Sequence, residues 1–261
     1  VADIIVATEG RIGWITIDRP EFNNAVRPQT LREICGAIDA LETNAAVRVI
    51  ILTGAGRHFC AGAELAFLET LRRTSPVEIQ STIYAHFIGA ARRLYRCGKP
   101  TVAAVSGAAV TVGCELALAA DFRVVSETAR FQESWIKLGL VPPLGGMVLL
   151  PATIGLGRAK AMALRGDSVR GPEAVAIGLA HSCHPDAELR QAAIALAEEL
   201  AALPPLAYAA AKEGLHRGLE STMDREWAAN AQTQSVLLGT ADFAEGLNAV
   251  QEKRSPKFGG R

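Results

Sequence analysis

An α/β fold with parallel strand pairing is predicted by three observations. Short β-branched runs alternate with helical periodicity over the first two-thirds of the chain. Several of these runs are apolar throughout and stop at a glycine, as strands buried on both faces do. From Asp186 onward the strand signals cease and only helical patterns continue.

Residues 4–6 and 12–17 form a strand pair about a turn at Glu9-Gly10. Arg19-Pro20-Glu21 breaks that pattern, and Leu31, Ile34, Cys35, Ile38 and Leu41 then recur at helical spacing. Residues 47–53 are a β-branched run ending at Gly54. Residues 77–96 read as a helix, 101–105 as a second buried strand ending at Ser106-Gly107, 113–120 as an apolar helix and 122–125 as a strand. The longest uncharged run, 138–157, contains Pro142, Pro143, Pro151 and several glycines, which suits a turn-rich loop rather than a membrane helix. Leu189, Ala193, Leu196, Leu200 and Leu203 continue a helical stripe, and helical stretches reach Val250. The expected organisation is a core over residues 1–200 carrying the site and a helical oligomerisation region over 201–261.

Of 261 residues, 49% are hydrophobic, enough for a sizeable core. Lys plus Arg equals Asp plus Glu at 27 each, so no global field draws in nucleic acid or an acidic membrane, and neither is expected as a partner. The five cysteines are odd in number and lack a C-x-x-C pair, which argues against a disulfide framework or zinc ribbon. Residues 1–10 alternate like a strand and show no basic segment followed by an apolar one. A reducing, cytoplasmic setting is expected.

Two segments carry chemistry. In the first, residues 53–65, a strand runs into Gly54-Ala55-Gly56, but Phe59 stands where a dinucleotide fingerprint needs its third glycine. What remains is a loop of small residues, either a plain connection or a place where a ligand reaches backbone N–H groups. In the second, Glu115 is the only charged residue between Thr101 and Ala120. A carboxyl in apolar surroundings tends to a raised pKa, which suits acid–base work near neutral pH. The competing reading is a first-turn glutamate favoured by the helix dipole.

Together the segments resemble the enoyl-CoA hydratase/isomerase (crotonase) superfamily. Its first signature, A-F-x-A-G-A-D-L, appears as His58-Phe59-Cys60-Ala61-Gly62-Ala63-Glu64-Leu65. Its second runs over residues 103–121 and ends Cys114-Glu115-Leu116-Ala117-Leu118-Ala119-Ala120-Asp121. Further markers fall in order, among them Asp18-Arg19-Pro20, Asn24-Ala25-Val26, Leu138-Gly139-Leu140, Gly145-Gly146 and Glu252-Lys253-Arg254-Ser255-Pro256-Lys257-Phe258, so the likeness spans essentially the whole chain.

The resemblance implies a spiral of ββα units followed by a helical trimerisation region, assembled as a homotrimer or dimer of trimers. It implies an acyl-CoA substrate, with coenzyme A entering as part of that substrate and no covalently bound cofactor. By position it gives the backbone N–H groups of Ala63 and Val112 as an oxyanion hole and Glu115 as acid/base. It places Ala25, Ala61, Gly62, Leu65, Trp135, Lys257 and Phe258 along the substrate.

Three departures from the family pattern bear on the reaction. The hydratase sequence A-x-F-x-x-P-E puts its second glutamate at Trp135 and its proline at Ser134. The family's G-G-G is Thr111-Val112-Gly113. The acid that isomerases often carry in the L-G-L-x-P region is Pro143, which also excludes the dehalogenase route. Glu133 substitutes for the second acid only if the register shifts by two residues. Trp135 is either packing or a flat wall for a cyclic or aromatic acyl group. His86 lies on a helix bordering the family's pocket, with a catalytic or a structural role open. His181-Ser182-Cys183-His184 lacks metal-ligand spacing, and no metal is expected. The expected activity is enoyl-CoA hydration or isomerisation through a thioester enolate. Single-acid isomerisation, decarboxylation or C–C bond hydrolysis is the alternative. A weakly catalytic CoA-binding homologue, or an RNA-binding one using Arg92-Arg93-Leu94-Tyr95-Arg96, is the reading from another class.

Overall fold

The computed structural model describes residues 2–258, the side chains of Thr82, Ile83, Glu220 and Ser221 excepted. Strands β1 (Ile4–Glu9) and β2 (Ile12–Ile17) form the expected antiparallel pair, with Glu9 opposite Ile12 across the turn. Helix α1 (Pro28–Thr43) leads to β3 (Val49–Gly54), which pairs in parallel with β2. Helix α2 (Leu65–Leu71) follows the glycine- and alanine-rich loop. The helix expected over 77–96 is interrupted: α3 (Pro76–Glu78) passes through a π-helical turn, Ile79–Ile83, into α4 (Tyr84–Arg96).

Strand β4 (Thr101–Val105) has the expected bounds and is followed by β5 (Ala108–Val110) and α5 (Val112–Ala119). Next come β6 (Phe122–Ser126), β7 (Arg130–Gln132) and a 3-10 turn, Ser134–Leu138. The uncharged run is only partly loop, because α6 (Gly146–Ile154) forms within it and keeps Pro151 inside the helix. Helix α7 (Leu156–Arg165), β8 (Ser168–Arg170), α8 (Gly171–Ala176) and β9 (Ser182–His184) complete the α/β part. Helices α9 (Leu189–Ala201), α10 (Pro205–Leu237) and α11 (Ala241–Gln251) close the chain, and no strand follows Asp186 among the described residues. No single described helix is long and apolar enough to cross a membrane.

The strands make two sheets, one in the order β1-β2-β3-β4-β6-β9 and one in the order β5-β7-β8. Over the three turns that begin at β3, β4 and β6 the chain places a strand in the first sheet, a strand or bridge in the second, and then a helical segment, which is the ββα spiral, and β8 and β9 add one strand to the second and first sheets in turn. The inner strands β2, β3, β4 and β6 of the first sheet are buried on both faces, while the edge strand β1 is largely exposed. Ile50 and Leu52 of β3 face the main core, whereas Val49 and Ile51 meet α9 through Leu189, Ala193, Ala197 and Leu200. Two-sided burial explains why these strands read as unbroken apolar runs. The short strands β5, β7, β8 and β9 went unpredicted because three residues cannot display a period.

Candidate active site

Two backbone turns meet where the sequence expects an oxyanion hole. In the first, Val26 and Ala63 form an isolated parallel bridge. The Val26 N–H donates to Gly62 O and the Glu64 N–H donates to Val26 O, both at 2.8 Å. In a parallel bridge of this pattern the Ala63 N–H points away from Val26. The loop is pinned from outside: the Asn24 amide donates to the carbonyls of Ala55 and His58, and Arg19 pairs with Glu64 at 2.7 Å. In the second turn β5 passes into α5, and Val112, as the first helical residue, has an N–H with no acceptor in its own helix. The two turns touch backbone to backbone. A Cβ on Gly113 would lie 2.3 Å from the Cys60 carbonyl, and one on Gly62 would lie 2.3 Å from Thr111 Oγ1. Only glycine fits either place. Thr111 itself has φ 48° and ψ −111°, a strained conformation for a β-branched residue and one that the family's glycine would adopt freely.

Glu115 sits in the first turn of α5 and is buried. Its carboxylate does not serve its own helix but turns to the start of α6. Oε1 accepts from the Leu144 N–H at 2.8 Å and the Gly146 N–H at 2.9 Å, and Oε2 accepts from Trp135 Nε1 at 3.2 Å. Gly146 must be glycine for this contact, since a Cβ there would lie 2.9 Å from Oε1. Burial pushes the Glu115 pKa up to about 8, against the pull of the Gly146, Leu144 and Trp135 donors and with some help from the charge of Glu226. The dipole argument from the sequence thus holds for a different helix: Glu115 faces the N-terminus of α6.

Trp135, expected by resemblance at the place of the second acid, lies beside Glu115. Its indole N–H donates to Glu115, and the side chain is buried. Glu133, the alternative acid, is also fully buried, but its charged end lies by Cys114 on a neighbouring face of α5. The Cys114 thiol is near enough to lower its pKa slightly, yet no hydrogen bond of normal geometry reaches either Glu133 oxygen among the described residues. Burial first, and then the charge of Glu115, push Glu133 well above the usual carboxylate range.

The remaining expected residues divide. Ala25, Ala61 and Gly62 belong to the pinned loop, with the Ala61 N–H on Asn23 O at 3.1 Å, and Leu65 starts α2 with an exposed side chain. His86 is not among the groups set against Glu115. Burial and the charge of Arg32 lower its pKa. Lys257 and Phe258 are exposed, and the Lys257 N–H is tied to Glu245 at 2.7 Å, so the described chain presents both to solvent rather than to Glu115. A cavity of about 330 Å³ opens between α5, β6 and α10, lined by Tyr95, Asp121, Lys212 and His216 among others, and Glu115 is not part of its lining. The Asp121–Lys212 pair there, at 2.8 Å, is closed by Thr101 and Tyr208, a satisfied structural cluster. Sequence reasoning missed the α6 N–H donors, the strain at Thr111, and Tyr84, a buried phenol within reach of the charge of Glu115.

Comparison with known proteins identifies the family. The family model for enoyl-CoA hydratase/isomerase matches residues 7–261. A probable enoyl-CoA hydratase of Rhodobacter capsulatus is 36% identical over 247 residues, covering 95% of this chain and 94% of that protein. A 2,3-dehydroadipyl-CoA hydratase of Escherichia coli is 33% identical over 267 residues, covering both chains fully at 100%. The crystal structure of an enoyl-CoA hydratase from Mycobacterium avium subsp. paratuberculosis superposes with a TM-score of 0.88 at 30% identity, covering 99% of each chain. The chain is therefore an acyl-CoA-processing enzyme that belongs to the enoyl-CoA hydratase/isomerase family.

Proposed function

We propose that the enzyme makes and quenches a thioester enolate, with the Ala63 and Val112 N–H groups taking the charge on the thioester oxygen and Glu115 moving the proton. The supporting observation is Glu115 itself: a buried carboxyl with a pKa near 8, one turn into the helix whose first N–H is that of Val112. Two preorganised donors in a water-poor site are worth several kcal/mol to an enolate, and the N-terminus of α5 adds to them. Because Oε1 already accepts two N–H groups, Oε2, with the single indole donor, is the oxygen that exchanges the proton.

Trp135 favours chemistry that one acid can complete. An indole N–H donates but accepts no proton, so it cannot activate water. With a 3-enoyl-CoA, the Glu115 carboxylate takes a proton from C2 and the electron pair spreads into a dienolate held at the thioester oxygen. Protonated Glu115 then returns the proton to C4, moving the double bond to C2–C3. Hydration is the second reading, favoured by relatives named as hydratases. There Glu115 would take a proton from water attacking C3 and deliver it to C2.

The test supplies 2-enoyl-CoA and 3-enoyl-CoA thioesters in D2O and follows deuterium and product by mass spectrometry. Isomerisation with label at C2 or C4 is expected from the wild type, and Glu115→Gln should lose roughly 10²–10⁴ in rate. Undiminished exchange in that variant, or none in the wild type with any acyl-CoA, refutes the proposal.

A further inference from the structure

The 141–146 segment that supplies the Leu144 and Gly146 N–H groups has no strand and almost no helix of its own. It contains Pro142 and Pro143, and its Gly145 has φ 116°. Its backbone groups need partners from elsewhere. They find them on one face of α10, where Met223, Trp227, Asn230 and Gln234 recur at helical spacing and are all buried. Trp227 Nε1 donates to Leu144 O at 2.9 Å and Asn230 Nδ2 to Pro142 O at 2.9 Å. Gln234 takes Val141 from both sides, accepting from its N–H at 3.3 Å and donating to its carbonyl at 3.0 Å. Met223 fills the space beside Gly145, where a Cβ would lie 2.6 Å from its methyl group.

Leu144 is thus gripped at both ends, its carbonyl by Trp227 and its N–H by Glu115. An apolar helix face would bury this segment equally well. A polar face fixes its position to hydrogen-bond tolerance, and that tolerance passes to the donors that aim Glu115.

From these contacts we infer that Trp227, Asn230 and Gln234 are positioning residues for proton transfer by Glu115, acting through the 141–146 backbone. The inference rests on the acid/base reading of Glu115 proposed above and extends it to a helix more than 100 residues along the chain that sequence alone assigns only to assembly.

The test uses the full chain with 2-enoyl-CoA and 3-enoyl-CoA thioesters as substrates and compares Trp227→Phe, Asn230→Leu and Gln234→Met with Glu115→Gln. Misplacing the donors should lower kcat on the order of 10- to 100-fold with KM little changed. It should also move the pH dependence. Weaker N–H donation leaves Glu115 a poorer carboxylate, so the rise of activity with pH shifts to higher pH. Of the other titratable groups facing Glu115, Glu133 and Cys114 keep their partners in all three variants, whereas Asn230→Leu takes a 2.7 Å donor from Glu226 and Gln234→Met takes the hydrogen-bond partner of Tyr84, so the pH profile is read from Trp227→Phe. A merely structural role would lower thermal stability without moving the pH profile. Trp227→Phe removes one N–H and keeps most of the ring, so it decides the matter if either of the others fails to fold. Wild-type kcat and pH profile in the folded variants, beside an inactive Glu115→Gln, overturn the positioning role and leave the Glu115 reading intact. An active Glu115→Gln overturns both.

Discussion

Glu115→Gln should separate stability from activity, in a pH-dependent way. Below its ordinary value of 4.5 the Glu115 carboxyl is protonated in both folded and unfolded chains. Between there and about 8 the folded state keeps a proton that the unfolded state has lost. Stability is therefore full at low pH and falls as pH rises, by about 1.4 kcal/mol per pH unit, levelling off above the folded value. The accumulated loss is on the order of 3–5 kcal/mol. Glutamine does not titrate and is spared it. Its Oε1 still accepts from Leu144 and Gly146, but its amide nitrogen would face the Trp135 donor, a mismatch costing about 1 kcal/mol. The variant should thus be slightly less stable than the wild type near pH 5 and more stable by a few kcal/mol near pH 9. Urea unfolding at several pH values measures the crossing, and turnover should fall by roughly 10²–10⁴ throughout. A stability difference that does not change with pH would show that Glu115 is not a buried titrating acid.

Thr111→Gly should relieve backbone strain of about 1–3 kcal/mol, partly offset by the entropy of glycine, and a denaturation midpoint below that of the wild type would refute strain at this turn. Trp135→Glu should raise crotonyl-CoA hydration on the order of 10- to 100-fold by adding a second proton-handling group opposite Glu115. The lost ring should cost about 3–5 kcal/mol of stability, and a folded variant with no gain in hydration would count against the facing geometry. Self-association is expected through α10, where Leu206 and Leu215 are 85% and 79% exposed on different sides of the helix, so replacing both with arginine should lower the mass seen by light scattering. Truncation from Pro204 would not isolate that effect, because α10 also holds the segment that binds Glu115.

The inner strands of the first sheet were legible because two-sided burial writes itself as unbroken apolar runs, and β4 was read to the residue. Glu115 was legible for the same reason, as a lone charge in an apolar stretch. Two of its three partners were not, because they are backbone N–H groups 29 and 31 residues away, and a main-chain donor leaves no letter in the sequence. The positive φ of Thr111 was visible only as a missing glycine. Trp227, Asn230 and Gln234 do carry a signal, since their helical spacing is plain once one side of α10 is known to be buried. What hides it is the even mixture of polar and apolar residues around that helix, which gives no stripe to mark the inner face.

Glu133 poses the sharpest question about how many acids the site uses. It follows β7 two residues after the buried Phe131, and strand alternation sends both side chains inward. Neither Glu115 nor Glu133 has an ion pair among the described residues. Both carboxyls have a raised pKa through burial, and the charge of Glu115 raises Glu133 further, so the two do not both ionise near neutral pH. Glu115 has three donors to support its anion and Glu133 has only the nearby Cys114 thiol, with no hydrogen bond of normal geometry, so Glu133 is the one that keeps its proton. Enolate formation moves one negative charge from Glu115 to the thioester oxygen and leaves the total unchanged. An ionised Glu133 would oppose that charge by on the order of 2 kcal/mol, whereas a neutral one does not. Glu133→Gln then exchanges one neutral group for another of nearly the same shape. Its kcat should stay within about threefold of the wild type, and stability should fall by roughly 1–2 kcal/mol for the buried amide. Parallel assays on 2-enoyl-CoA and 3-enoyl-CoA thioesters measure the first expectation, and urea unfolding measures the second. A loss of 10²-fold or more in hydration, with the fold intact, would mean that Glu133 handles a proton after all, and that the turn carrying Trp135 rearranges when substrate binds.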